Sequence, residues 1–284
     1  QTIAGFGASD CWSPAFVGKS WTSHRAGITE LLFSSEIVGG KPKGIGLSQW
    51  RVNLGGGSAA QGEACGIEDK SRRAESYLTD DLTYDWTRCE GQRYFMDRAK
   101  ELGCNNFVLF SNTPPVQYTY NGKGFSARGG LSNLKPEHYG DFAGYMADVA
   151  ARYTGEGYHI SHISPVNEPQ YNWDSGQEGS GWTNDEVAAL ARELDMSLDA
   201  RGLSTDILLG ESGDWEYLYK VKGDANRSNV LSAFFTPGSS AYVGDLAHVK
   251  NLICGHSYWT DGTWDGMRNV RKPVSYTHLT LPTN

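Results

Sequence analysis

A repeated alternation constrains this chain most: short apolar runs that end in polar residues, each followed by a stretch of helical period. The runs begin near residues 3, 45, 106, 160, 206 and 251. Phe107, Val108, Leu109 and Phe110 are continuously apolar, the mark of a strand covered on both faces, as a parallel sheet requires. Between runs, Pro136 opens a segment in which Tyr139, Phe142, Ala143, Met146, Val149, Ala150 and Tyr153 recur at helical spacing. A second segment puts Val187, Leu190, Ala191, Leu194 and Leu198 on one face, with Thr183 and Glu186 as a capping box at its start. Helices are also expected over Gln92–Leu102 and after Trp12, through Ile28, Leu31 and Leu32. Strand then helix, with no run of strands alone, predicts an α/β fold of βα units. A doubly wound sheet satisfies the same alternation. Polar residues at every strand end favour a (β/α)8 TIM barrel, whose working face is built from those ends.

The second strand is expected from about Ile45 to Leu54, the third over Asn106–Phe110, the fifth over Asp206–Leu209 and the sixth over Asn251–Cys254. The fourth begins at Ile160 and is expected to stop with Glu168 at its mouth, because Pro169 lacks the next ladder N–H. Strand ends then collect Asp10 and Trp12, Arg51 and Asn53, Asn112, Asn167 and Glu168, Glu211 and Trp215, and His256, Tyr258 and Trp259. A carboxylate beside an amide at such a rim suits acid/base chemistry on a polar substrate. The bland alternative for Asn167-Glu168-Pro169 is a surface turn with a salt bridge. Trp12, Trp173, Trp182, Trp215, Trp259 and Trp264 all follow predicted strands, six of the nine tryptophans. Indole rings with one polar edge suit the apolar faces of sugars, although some of the six would merely pack beneath loops.

A net charge of -8 argues against a nucleic-acid backbone as partner, and no apolar run approaches the roughly 20 residues of a membrane-spanning helix. No charged-then-apolar leader opens the chain, and Gln1 reads as a mature or trimmed end. The glycines of residues 5–12 superficially suggest a dinucleotide loop, but Asp10 stands where the third glycine should be. Gly-x-Ser-x-Gly, His-Glu-x-x-His and phosphate-loop motifs are missing from the sequence. Cysteines 11, 65, 89, 104 and 254 form no CxxC pair. Cys65 and Cys89 bracket a loop and could pair in an exported protein, while Cys104 and Cys254 read as core thiols. His159 and His162, near the start of a strand, read as structural, and the charged run Glu68–Arg73 as a solvated loop.

Five stretches in order carry a family resemblance: Gly5–Trp12, Trp50–Asn53, Ser111–Pro115, Pro165–Pro169 and His256–Trp259. Together they resemble the retaining glycoside hydrolases of family 30, above all the endo-β-1,6-galactanase-like bacterial members, with the likeness running from residue 5 to about 272. The resemblance implies a (β/α)8 barrel without cofactor or metal, acting as a monomer on a polysaccharide outside the cytoplasm: secreted, periplasmic or at the cell surface. It makes Glu168 the general acid/base and Asn167 a ligand for the hydroxyl next to the reacting carbon. Arg51 would orient the nucleophile with His256 or Tyr258 nearby, and Asp10, Trp12, Asn112, Trp173, Glu211, Trp215 and Trp259 would contact or support substrate. A retaining enzyme needs two carboxyl groups about 5 Å apart, and in this clan the nucleophile is a Glu ending the seventh strand. Strand spacing puts that strand roughly near residue 300, beyond residue 284. Glu211 is the substitute inside the chain. The expectation is thus a barrel with about six of eight βα units over 1–273, a non-native tail over 274–284, and no activity from this chain alone. The substrate expected is β-1,6-galactan, with β-1,6-glucan, xylan or a non-catalytic sugar-binding barrel as alternatives.

Overall fold

The computed structural model describes residues 4–258 and Arg268. Six parallel strands form one sheet in chain order: β1 (Gly7–Ser9), β2 (Gln49–Asn53), β3 (Asn106–Phe110), β4 (Ile160–Ser164), β5 (Asp206–Ser212) and β6 (Val249–Gly255). Sequential parallel order with helices between strands is the winding of a TIM barrel rather than of a doubly wound sheet, in which strand order reverses. Among the described residues the chain forms six strands of such a barrel, the first five each followed by helix, and β1 and β6 are the sheet's edges. A separate antiparallel pair, Ile37–Val38 with Lys41–Pro42, lies outside it.

Register explains which residues reach the functional face. Ser9 pairs with Arg51 and Arg51 with Val108, while Trp50 pairs with Phe107. Side chains alternate across a strand, so Trp50 and Val52 are buried under the helices, with Trp50 stacked on Phe95 at 6.1 Å and edge-on to Phe33 at 4.9 Å. Gln49, Arg51, Val108 and Leu208 take the other side and line an open cavity of 380 Å³.

Helices α1 (Ser13–Ser20), α2 (Arg25–Phe33), α3 (Glu90–Glu101), α4 (Tyr139–Gly155) and α5 (Asn184–Ala200) are followed by the short α6 (Glu216–Tyr219) and α7 (Val230–Phe235). The predicted faces of α4 and α5 are the buried ones, and the Thr183–Glu186 capping box forms. Pro136 begins a 3-10 turn, Pro136–His138, that leads into α4.

Four expectations need correction. The helix after Trp12 is two helices, and Leu31 is 62% exposed while Ile28 and Leu32 pack on the core. The second strand starts at Gln49, since Gly46 takes a left-handed φ of 63° and leaves Ile45 exposed. The fourth strand stops at Ser164: it is Pro165, not Pro169, that interrupts the ladder. The predicted disulfide is absent, Cys65 and Cys89 both being buried free thiols. Residues 259–267 and 269–284, with Trp259, Trp264 and the tail, lie outside the described residues.

Candidate active site

Backbone geometry at two strand ends aims the carboxylates. After Pro165 the chain turns so that Glu168 adopts φ 44°, and its N–H donates to the Glu211 carbonyl at 2.9 Å. Glu211 itself has φ 41°. Left-handed backbone costs a non-glycine residue about 1–2 kcal/mol and is characteristic of functional sites. Before Glu211, Gly210 has φ 108°, and a Cβ there would lie 2.4 Å from the Cys254 carbonyl oxygen. Only glycine lets β5 pass this close to β6, so the strand runs on to Ser212, three residues beyond its predicted end.

The side chains form a continuous polar chain. His256 Nδ1 lies 2.6 Å from Glu168 Oε1, and its Nε2 lies 2.6 Å from Glu211 Oε2. Two carboxylate neighbours call for two N–H donors, which only the imidazolium supplies. Burial disfavours that cation, but the hydrogen bonds and charges of Glu168 and Glu211 outweigh it and raise His256 to about 9. Arg51 Nη2 donates to Glu211 Oε2 and to Asn167 Oδ1, each at 2.8 Å, and its guanidinium lies over the Phe110 ring. Burial pushes the Glu211 carboxyl up, yet the charge of Arg51 and the hydrogen bond and charge of His256 bring it down to about 2. Glu211, 3% exposed, is therefore an ionised anchor.

Glu168 lines an open cleft of 490 Å³ with Asn167, Arg51, His256, Tyr258 and Asn112. Trp12 and Trp173 are among its walls, together with Cys11, Arg72 and Gln177. Trp173 Nε1 donates to the Glu168 carbonyl at 2.9 Å, tying an aromatic wall to the carboxylate's backbone. Asn112 donates to Asn53 Oδ1 at 3.1 Å, and Asn53 N–H donates to Asp10 Oδ1 at 2.9 Å.

Sequence-predicted residues are thus sorted. Arg51, Asn112, Asn167, Glu168, Trp12, Trp173, His256 and Tyr258 converge on the cleft. Asp10 is buried beside it, lining a smaller cavity of 230 Å³ behind Trp12; burial raises its carboxyl to about 7 against the hydrogen bonds of Gln92 and Asn53. Trp215 instead packs on the core near Gly255, and Trp182 is in the core against Tyr139. Trp259 lies outside the described residues. Of the six tryptophans expected at the mouth, Trp12 and Trp173 line the cleft, Trp182 and Trp215 pack inward, and Trp259 and Trp264 lie outside the described residues. Arg72, Gln177 and Cys11 were not expected; Arg72 stood in a charged run read as solvated, and nothing in its neighbours' identities marks it as cleft-facing. His162 hydrogen bonds Ser161, His159 lies 3.3 Å from the Asn105 carbonyl, and no group of potential metal ligands gathers among the described residues.

One buried carboxylate supports the cleft from behind. Glu178 accepts from the N–H groups of Gly56 and Ser58 at 2.8 and 3.0 Å and from the Ser58 hydroxyl at 2.5 Å. It fastens the loop carrying Trp173 and Gln177 to the loop after β2. Burial raises its carboxyl despite these hydrogen bonds.

Known proteins resemble the chain in sequence and fold. The family model for O-glycosyl hydrolase family 30 matches residues 1–282. An endo-beta-1,6-galactanase of Hypocrea rufa is 26% identical over 235 residues, 76% of this chain and 48% of that protein. The chain therefore spans about half the length of this curated relative. A conserved exported protein from Bacteroides fragilis superposes with a TM-score of 0.92 at 32% identity, covering 99% of this chain and 60% of that one. The catalytic domain of a xylanase C from Talaromyces cellulolyticus shares the fold, with a TM-score of 0.64 at 20% identity over 93% of this chain and 55% of that one. With its six barrel strands in order and a carboxylate-centred cleft at their ends, the chain belongs to O-glycosyl hydrolase family 30.

Proposed function

We propose that the protein is a retaining, endo-acting glycosidase that cleaves β-1,6-galactan, with Glu168 as general acid/base. The observation that carries this reading is the placement of Glu168: it faces an aromatic-walled open cleft and makes a 2.6 Å hydrogen bond to His256. An open cleft admits an internal stretch of polymer, which favours endo action. Glu168 protonates the leaving glycosidic oxygen and later removes a proton from the incoming water. Asn167, oriented by Arg51, binds the hydroxyl beside the reacting carbon. For the acid step the shared proton moves from His256 Nδ1 to Glu168 Oε1, leaving His256 neutral, and it returns to His256 when Glu168 acts as base on water.

Glu211 is a support rather than the nucleophile. The His256 ring stands between it and Glu168, where the reacting sugar carbon would have to sit, and Arg51 holds it in the wall. The attacking carboxylate comes from outside the described residues. Galactan is favoured over β-1,6-glucan and xylan by the named galactanase relative. Because a polymer does not cross membranes, the enzyme acts outside the cytoplasm, as a monomer; among the described residues no helix is long and apolar enough to cross a membrane.

The test is a panel of β-1,6-galactan, β-1,6-glucan and β-1,4-xylan offered to the complete product of the gene. The expected result is release of mixed oligosaccharides from β-1,6-galactan. Oligosaccharides from one of the other polymers alone would overturn the galactan assignment.

A further inference from the structure

Glu178 sits where three loops meet. Its buried carboxylate takes the N–H groups of Gly56 and Ser58 and the Ser58 hydroxyl, and Ser58 Oγ accepts from the Ala74 N–H at 3.2 Å. The next residue, Gly179, donates its N–H to the Gly124 carbonyl at 2.8 Å. The loops after β2, β3 and β4 are therefore joined at residues 178–179. Gly179 also seats an aromatic ring: a Cβ there would lie 2.5 Å from Trp173 Cγ, so the indole rests on bare backbone. Trp173 itself is held in a left-handed conformation, φ 53°, with its carbonyl accepting from the Ser126 N–H at 2.8 Å. From that position its Nε1 donates to the Glu168 carbonyl at 2.9 Å.

Hydrogen bonds to an ionised acceptor are roughly twice as strong as neutral ones, so a carboxylate fixes this junction more firmly than an amide of the same size. A general acid depends on such firmness, because a misplacement of about 1 Å costs on the order of 100-fold in rate. We propose that Glu178 is a positioning residue for the acid step. Its carboxylate fixes the Gly179 backbone, Gly179 seats the Trp173 indole, and the indole N–H fixes the backbone of Glu168. The inference rests on the reading of Glu168 as general acid/base and adds to it the support that aims the proton. Glu178 touches neither substrate nor the reacting atoms in this scheme; it acts through Trp173.

The test is the leaving-group dependence of kcat/KM in the complete gene product. Each variant is measured on an unactivated oligosaccharide of the backbone that the polysaccharide panel selects, whose departing oxygen needs a proton, and on an aryl glycoside of the same sugars, whose leaving group does not. Glu178→Gln, which keeps the side chain's size but not its charge, should lower the ratio of the first value to the second about tenfold. Gly179→Ala displaces the indole while keeping the carboxylate, and should lower the ratio similarly; it carries the test if Glu178→Gln does not fold. Trp173→Phe removes the N–H to Glu168, and adding Glu178→Gln to it should lower the ratio no further, because both act on one link. A loss of folded protein scales both rates alike and leaves the ratio unmoved. A ratio at the wild-type value in either folded variant, or effects that multiply in the double variant, would overturn the proposal. If Glu168→Ala itself leaves the ratio unmoved, the acid/base reading falls; if it lowers the ratio and Glu178→Gln does not, only the positioning role falls.

Discussion

Replacing Arg51 by Met removes the cation that the buried Glu211 carboxylate depends on. The wild-type magnitude follows from the carboxyl being held at about 2 instead of 4.5, which at about 1.36 kcal/mol per pH unit is on the order of 3 kcal/mol. His256 supplies part of that stabilisation and remains, whereas leaving a buried charge half-paired costs about 3–5 kcal/mol. Arg51→Met should therefore lose about 2–4 kcal/mol at pH 7, measured by urea denaturation followed through tryptophan fluorescence. The pH dependence has a definite sign. A carboxyl lowered on folding contributes stability that is present above pH 4.5 and lost as pH falls towards 2. The gap between wild type and variant should accordingly narrow from pH 4.5 downwards. Glu211→Gln combined with Arg51→Met should be less damaging than Arg51→Met alone, because no carboxylate is then stranded. A loss below about 1 kcal/mol at pH 7, or a gap constant from pH 7 to about 3, would refute the anchoring role.

His256 gives the opposite pH signature: raised from 6.5 to about 9, it contributes stability fully below pH 6.5 that is lost as pH rises through 9. His256→Gln should cost about 2 kcal/mol at pH 6 and almost nothing at pH 10 in the same denaturation assay, after allowance for its partial exposure. Glu178→Ala strands the N–H groups of Gly56 and Ser58 and the Ser58 hydroxyl, so a loss of about 3 kcal/mol or more is expected in urea; an unchanged midpoint would show that water replaces the carboxylate.

Much of the fold was legible because period and burial coincide. Phe107–Phe110 is apolar throughout and forms β3 at the predicted bounds, and the buried stripes of α4 and α5 are those that the spacing marks. Boundaries failed where backbone chemistry outweighed pattern. Gly46 ends the extension that Ile45 suggested, and Gly210 lets β5 continue past Leu209. In the site, short motifs placed Arg51, Asn167, Glu168 and His256 together because each lies at or just beyond the end of a strand. The bridge from Glu168 through His256 to Glu211 was not legible, since it depends on two left-handed residues in successive units. Tryptophans misled for a related reason: position after a strand does not decide between cleft and core, and Trp182 and Trp215 pack inward. Arg72 was hidden in a charged run whose members Lys70 and Arg73 turn to Glu63.

Chemical rescue at Glu168 tests the assignment of the acid/base most directly. In the complete gene product, Glu168→Ala should lower turnover of an unactivated β-linked substrate by roughly 10²–10⁴-fold. With an aryl glycoside whose leaving group needs no proton, added azide should restore turnover and yield the β-glycosyl azide, the configuration that replacement of water on a covalent intermediate gives. Undiminished hydrolysis by Glu168→Ala, or an α-configured azide product, would contradict the role given to Glu168.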